Sequence, residues 1–436
     1  MTATLGPPLG HLLAVWMPRQ RWYPAKGRGV SQRRVGGYRL EDPDGEVGID
    51  VHVIALDSGD RVDVVQVPLT YRGTPLAGAE GALVGETVHS ELGRRWVYDG
   101  PHDPVYVAAL LGSLETPTGP PPAPPATSRV LTGEQSNTSF VVDAESPIPL
   151  VVKVFRTLHP GENPEVVVTS ALTAAGCTRV PRTVGWASGG WTAGDGAEAT
   201  GHLAVAAEFL AGSADAWGEA VAAATAGTDF TRQARELGAA TAEVHVALAE
   251  AFGHAPADGP AREALVEGLR ARVRWALDSA PALADHRAAL EQHADRLGDL
   301  RDSSLPDLQR VHGDFHLGQV LHSPSRGWVL LDFEGEPLRP LHERTLPDVA
   351  VRDVVGMLRS FDYAAAHGGG ATTWAEAAAE AFLAGYSCGT GHDPRENELL
   401  WQALWLDKAL YEVVYETHNR PAWLDLPLAA VARSLA

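Results

Sequence analysis

Asp314 and Asp332 stand where chemistry can be built. Asp314 lies in His312-Gly313-Asp314-Phe315-His316-Leu317-Gly318-Gln319, and Asp332 follows in Leu331-Asp332-Phe333-Glu334. Transfer of a phosphoryl group from ATP needs two separately placed carboxylates. One orients or deprotonates the attacking hydroxyl, and the other holds the metal that bridges the phosphates. Gln319, five positions after Asp314, offers an amide oxygen for the same metal. Asp332 is preceded by the apolar run Trp328-Val329-Leu330-Leu331, which reads as a short strand. Aspartate also favours turns, where it bonds its own backbone. That alone does not explain why His312, His316 and Gln319 gather at the same place.

The two loops follow the order of the H-x-D-x-x-x-x-N and D-F-G loops of protein kinases, with Gln319 in the place of the asparagine. A third group is needed on the phosphates. Leu150-Val151-Val152-Lys153-Val154-Phe155 is a strand pattern with one lysine inside it. A lysine there is costly unless its charge is paired, and nucleotide phosphates supply that pairing. Upstream, Val130-Leu131 and Phe140-Val141-Val142 flank a polar tip, which reads as a hairpin. It has no G-x-G-x-x-G. Ser136, Asn137, Thr138 and Ser139 offer hydroxyls, an amide and backbone N–H groups to phosphates instead. Downstream, Asn163 and Pro164 predict a helix start, with Glu165 as the first candidate partner of Lys153 and Glu162 as the second; a first-turn glutamate that serves only the helix dipole fits the pattern equally well. Ala206-Ala207-Glu208-Phe209-Leu210 reads as the hinge, where the backbone around Glu208 and Leu210 would meet an adenine edge.

The elements that must hold these groups follow from pattern. Residues 1 to about 115 read as β-rich, with clear alternation in Ile49–Ile54 and Arg61–Val67. Trp16, Trp22 and Tyr23 are expected to pack at a core edge, leaving Arg19 and Arg21 in solvent. The proline-rich segment 116–127 cannot hold a helix or a central strand and marks a boundary. Residues 128–210 then form a strand-rich nucleotide lobe, and helices dominate 211–436. Ala234–Ala249 is amphipathic; a lone helix histidine there, His245, is taken as structural. Trp405–Glu416 predicts a helix with Asp407, Tyr411 and Tyr415 on one stripe and Lys408, Glu412 and Glu416 on the next. Such a face suits a sugar, whose hydroxyls need many directed hydrogen bonds, with Trp423 as a stacking surface. The same charges also fit a solvated face with intrahelical ion pairs. The fold class expected is α+β.

The rest of the chain excludes several classes. A formal net charge of -20 disfavours nucleic acid and anionic membranes as partners. The two cysteines, Cys177 and Cys388, form no C-x-x-C, which fits a reducing cytoplasm. No membrane-length apolar run, signal peptide or H-E-x-x-H is present. A monomer with small-molecule ligands is expected.

With those residues in place, the chain resembles the actinobacterial maltokinase-like sugar kinases, within the aminoglycoside-phosphotransferase and eukaryotic-like kinase fold. The carrying segments are Pro18–Tyr23, Glu134–Ser139, Lys153–Phe155, Val311–Leu321, Leu331–Pro337, Arg352–Ala365 and Leu406–Leu428. The resemblance implies a cap domain, a nucleotide lobe and an all-helical C-lobe. It implies Asp314 as base, Gln319 and Asp332 as Mg2+ ligands, Lys153 on the ATP phosphates, and the C-lobe helix as sugar site. His316 and Glu334 belong on the acceptor side in that scheme. The group includes maltokinases, which make maltose 1-phosphate, and glucosamine kinases, which make glucosamine 6-phosphate. This chain departs from the maltokinase pattern at Val167, Leu404-Trp405 and Asp425-Leu426-Pro427. A bulky Trp405 would shrink the pocket, and Asp425 would favour a cationic amino sugar if it faces the site. Glucosamine is therefore the expected acceptor and maltose the alternative. Loss of Lys153, Asp314 or Asp332 would mark an inactive relative, and all three are present.

Overall fold

The computed structural model describes residues 5–117, 119–132, 136–143, 148–194, 196–302, 304–336 and 341–435. The family-like positions Glu134, Gln135 and Pro337 lie outside the described residues. The chain forms two compact units, Met1–Ser170 with Pro181–Ala211, and Ala171–Val180 with Gly212–Ala436.

The first unit is organised by one twelve-stranded sheet. Its strands are β1 (Leu5–Gly6), β2 (Ser31–Leu40), β3 (Gly48–Asp57), β4 (Val62–Arg72), β5 (Leu83–His89), β6 (Gly93–Asp99), β7 (Ser128–Val130), β8 (Asn137–Val142), β9 (Leu150–Phe155), β10 (Thr157–Leu158), β11 (Thr183–Thr192) and β12 (Glu198–Glu208). The order is β1-β5-β6-β4-β3-β2-β11-β12-β9-β8-β7, with β10 paired to β4. Alternation in β3 sends Ile49, Val51 and Val53 into one core with Tyr106, Leu110, Phe140, Val152 and Val154. It sends Ile54 and Leu56 into a second core, where Trp16, Trp22 and Tyr23 are buried. Arg19 and Arg21 are exposed, as their neighbours' burial requires.

The proline-rich segment does not interrupt this sheet. Gly36 of β2 pairs with Trp191 of β11. A Cβ at Gly36 would come within 2.9 Å of the Trp191 Cβ, so the two strands meet through a glycine. The helix Pro164–Ala174 starts as its residues predict: Asn163 Oδ1 accepts from the Glu165 N–H at 2.8 Å, with Pro164 in the first helical position.

The second unit is mainly helical. The helices used below, numbered here from this unit, are α1 (Thr231–Phe252), α2 (Gly259–Ser279), α3 (Val351–Gly368), α4 (Thr372–Thr390), α5 (Glu398–Asn419) and α6 (Asp425–Leu435). α1 and α4 touch backbone to backbone. A Cβ on Gly238 would strike the Phe382 carbonyl, and one on Gly385 the Arg235 carbonyl. Among the described residues, this helical unit also holds two small three-stranded sheets of short strands. One contains the hairpin Val320–Ser323 and Gly327–Leu330, with Val320 opposite Leu330. That hairpin joins the two aspartate loops.

Candidate active site

The hairpin register brings the two loops together. The Leu331 N–H donates to the Gln319 carbonyl at 2.9 Å. The Gln319 side-chain amide then donates to Asp332 Oδ2 at 3.1 Å. An amide and a carboxylate side by side are hard oxygen donors, the set that suits Mg2+. Asp332 has φ +62°, an uncommon conformation for a residue with a side chain. Strain of this kind persists only where the surroundings impose it. Those surroundings are visible. His312 Nε2 lies 2.7 Å from the Leu331 carbonyl, so the ring donates across the loops. Its face packs on Phe333, with centroids 4.6 Å apart.

α3 fixes the loop from behind. Asp353, in its first turn and 1% exposed, accepts from the His312 N–H at 2.7 Å and the Gly313 N–H at 2.9 Å. His245 of α1 contacts the same carboxylate at 3.0 Å and Tyr386 of α4 at 2.9 Å. Burial would raise the Asp353 pKa, but the His245 hydrogen bond, the nearby imidazoles and the Gly313 N–H outweigh it and hold the carboxyl below its ordinary value. A Cβ at Gly356 would lie 2.6 Å from the Phe315 carbonyl, so only glycine lets the helix sit this close. Ser360 Oγ accepts from the Leu317 N–H at 3.0 Å.

Asp314 is held in a chain of alternating charges. Lys408 Nζ lies 3.2 Å from Asp314 Oδ1 and 3.6 Å from Glu336 Oε1. Arg272 of α2 bonds Glu336 at 2.7 Å and approaches Asp407 at 3.4 Å. Arg352 of α3 bonds Asp407 and Asp348, each at 2.6 Å. Burial opposes the Lys408 charge, yet the Asp314 and Glu336 carboxylates raise its pKa above the ordinary lysine value. The ammonium is therefore charged at neutral pH. His316 is pushed the other way, below the usual histidine value, by burial and by Lys408 despite Asp314. Its Nδ1 accepts from the Gly318 N–H at 3.0 Å. Glu334 is half-buried in the Asp332 loop, with its N–H on the Asp332 carbonyl at 2.9 Å.

The expected acceptor helix is α5, and its charged face is buried rather than solvated. Its carboxylates are bonded by neighbouring side chains. Asp407 is held by Arg272 and Arg352. Glu412 is bonded by Arg359 at 2.7 and 3.0 Å. Glu416 is bonded by Arg420 at 2.6 and 2.9 Å and receives the Tyr363 hydroxyl at 3.2 Å. Tyr411 stacks on Trp275 and lies 4.9 Å below the Lys408 ammonium. Trp423 stacks on His367 and Tyr363, with centroids 5.3 and 6.1 Å away. Trp405 packs against Trp401 under the Arg359 guanidinium. Asp425 is exposed at the first turn of α6.

In the first unit, Lys153 and Glu165 form an ion pair of 2.7 Å. The register of β8 on β9 sets Ser139 opposite Lys153 and Asn137 opposite Phe155. Asn137 and Ser139 thus share the lysine's face. Thr138 points to the other face, where its hydroxyl accepts from Arg156 Nε at 2.8 Å. Ser136 is exposed, with its Oγ 3.3 Å from the Asn137 amide. Glu208 ends β12, its N–H bonded to the Arg182 carbonyl at 2.9 Å, and Leu210 is half-buried just beyond.

The sequence reading gave no site role to Asp353, Arg272, Arg352 and Glu336, while His245, read as structural, braces Asp353. The available signal was charge in buried company: Arg352-Asp353 opens an otherwise apolar helix, and Glu336 closes Asp332-Phe333-Glu334-Gly335.

Residues 16–103 match the maltokinase N-terminal cap domain, and residues 127–397 match the phosphotransferase enzyme family. The glucosamine kinase of Streptacidiphilus jiangxiensis is 29% identical over 426 residues, covering 86% of this chain and 93% of that protein. That of Mycolicibacterium smegmatis is 29% identical over 324 residues, covering 70% and 78%. A solved structure of glucosamine kinase with glucosamine, ADP and inorganic phosphate is similar with a TM-score of 0.66 at 26% identity, over 99% of this chain and 100% of that one.

Proposed function

The chain belongs to the phosphotransferase enzyme family and is a kinase, and we propose that it transfers the γ-phosphoryl group of ATP to glucosamine, giving glucosamine 6-phosphate and ADP. The observation that carries this reading is the joining of Asp314, Gln319 and Asp332 by one hairpin, in a chain similar over nearly all its length to glucosamine kinases.

Asp314 acts as the base that orients the sugar hydroxyl and accepts its proton. Lys408, at 3.2 Å, holds this carboxylate in place in a part-buried site. Gln319 and Asp332 would hold Mg2+, whose chemistry when bound is to neutralise charge on the phosphates. His312 and Asp353 keep the two loops in register for that purpose. Lys153, oriented by Glu165, binds nucleotide phosphates, with Asn137 and Ser139 on its face. His316 and Glu334 contribute to the acceptor side beside Asp314. Trp423 offers a ring face to the sugar, while Glu412, Glu416 and Asp407 set the position of the helix that carries Lys408 and Tyr411.

A second reading, phosphorylation of maltose at C1, is favoured by the cap domain's match to maltokinases. It rests on the cap alone, whereas the likeness to glucosamine kinases spans both units. The product separates them: a 6-phosphate retains a reducing end, and a 1-phosphate does not. Phosphorylated sugar that still reduces is expected from glucosamine; a product without a reducing end would overturn the assignment of the 6-hydroxyl.

A further inference from the structure

His52 has no part in the chemistry above, and it is a polar residue in an apolar row. Side chains two apart share a face of a strand, so His52 lies on the face of β3 that carries Ile54 and Leu56 into the second core. It is 5% exposed. Its Nε2 lies 3.3 Å from the Tyr71 hydroxyl of β4, and its Nδ1 has no hydrogen-bond partner among the described residues. The ring borders a cavity of about 210 Å³ between β2, β3 and the helix Leu9–Trp16. Leu9, Leu13 and Ile54 give the cavity apolar walls, and Gln32, Arg34 and His52 bring polar groups to it. Arg34 is aimed there by its own strand. The pairing of β2 with β3 shifts register between Arg34 and Gly36, the kind of irregularity that re-aims a side chain. Arg34 Nε donates to the Gly36 carbonyl at 3.1 Å, which lays the guanidinium along β2 toward Gly37. Gly37 pairs with His52. A Cβ at Gly37 would lie 3.1 Å from Arg34 Nη2 and 3.3 Å from the His52 Cα. With φ +137° that position is left to glycine.

The charges around the cavity are unbalanced. Burial and the Arg34 charge push His52 down to about 4, against the pull of Asp50, so the imidazole is neutral at pH 7. Asp50 is paired with Arg39 at 3.0 Å. Arg34 bonds a neutral carbonyl and makes no ion pair among the described residues. We propose that this cavity binds a small monocarboxylate with a short hydrocarbon body. Arg34 takes the carboxylate, with the Gln32 amide and the His52 ring beside it, and Leu9, Leu13 and Ile54 cover the hydrocarbon. A guanidinium fork matches the two oxygens of a carboxylate. One cation beside a neutral histidine answers one negative charge, whereas a phosphate dianion would set its second charge against apolar walls. The volume suits a ligand of a few heavy atoms rather than a nucleotide. None of these residues serves the phosphoryl transfer described above, so the site stands apart from the identity of the sugar.

The test titrates the full-length protein with butyrate by calorimetry at constant ionic strength, with butyramide and inorganic phosphate as comparisons. Saturable one-to-one binding of butyrate is expected. Butyramide has the same shape without the charge and is expected to bind at least about tenfold more weakly, the effect of losing a hydrogen bond between charged groups. Arg34→Gln alters an exposed side chain. It is expected to weaken butyrate binding by a similar factor, while kcat and the KM values for ATP and glucosamine stay at wild type. Absence of saturable binding to the wild-type protein would overturn the site, as would equal butyrate affinity in the folded Arg34→Gln protein. Equal binding of butyramide, or tighter binding of phosphate than of butyrate, would overturn the assignment to a carboxylate.

Discussion

Asp314 faces Lys408 across 3.2 Å and shares its loop with a glutamine that reaches Asp332. A carboxylate in that position can receive a proton only while the acceptor hydroxyl is held against it. Asp314→Asn keeps the shape and removes the proton acceptor. Turnover is expected to fall roughly 10²–10⁴-fold, the usual worth of a general base, while Mg·ATP affinity stays near wild type. Near-normal turnover by direct phosphate-transfer assay would remove Asp314 from the role. At this scale the sequence was most legible where partners are near in the chain. Asp314, Gln319 and Asp332 fall within nineteen positions and carry their motif with them. Asp353 and Arg272 act on the same loops from α3 and α2, and no local pattern announces a partner so distant. Thr138 shows a different limit. A run of small polar residues reads as a phosphate loop, but which of them face the lysine depends on strand register, and register selects Asn137 and Ser139.

α5 illustrates the same limit for an element. Its four-residue spacing did predict the helix and its stripes, and the helix runs Glu398–Asn419. Spacing cannot tell whether a charged stripe faces water, ligand or oppositely charged helices. Arg272, Arg352 and Arg359 arrive from α2 and α3 and make the stripe part of the core. Asp407 is therefore expected to matter first for stability. Asp407→Asn removes the charge facing two buried guanidiniums, which are left without full compensation. Denaturant unfolding should show a loss of about 3 kcal/mol, the scale for breaking a buried pair, with the glucosamine KM of the folded protein little changed. A variant of wild-type stability with a greatly raised sugar KM would instead make Asp407 a ligand contact.

At the scale of the whole molecule, the proline-rich segment is a boundary in composition but not in the sheet. β2 reaches β11, and β10 reaches β4, so the strands on both sides of that segment belong to one unit. These pairings join residues 31–72 to 157–192, a separation that no window of sequence spans. The α+β class and the helical C-terminal half were legible because they rest on periodicity, which is local. The identity of the acceptor is the property furthest from such patterns, since it depends on which buried partners leave which groups to meet a sugar. It is also the claim most directly open to measurement. ADP release with Mg2+ and ATP should be recorded side by side on glucosamine, glucose, maltose and trehalose. The account predicts turnover on glucosamine well above the other three. Turnover confined to maltose would contradict it and make Trp405 and Asp425 neutral changes in a maltokinase.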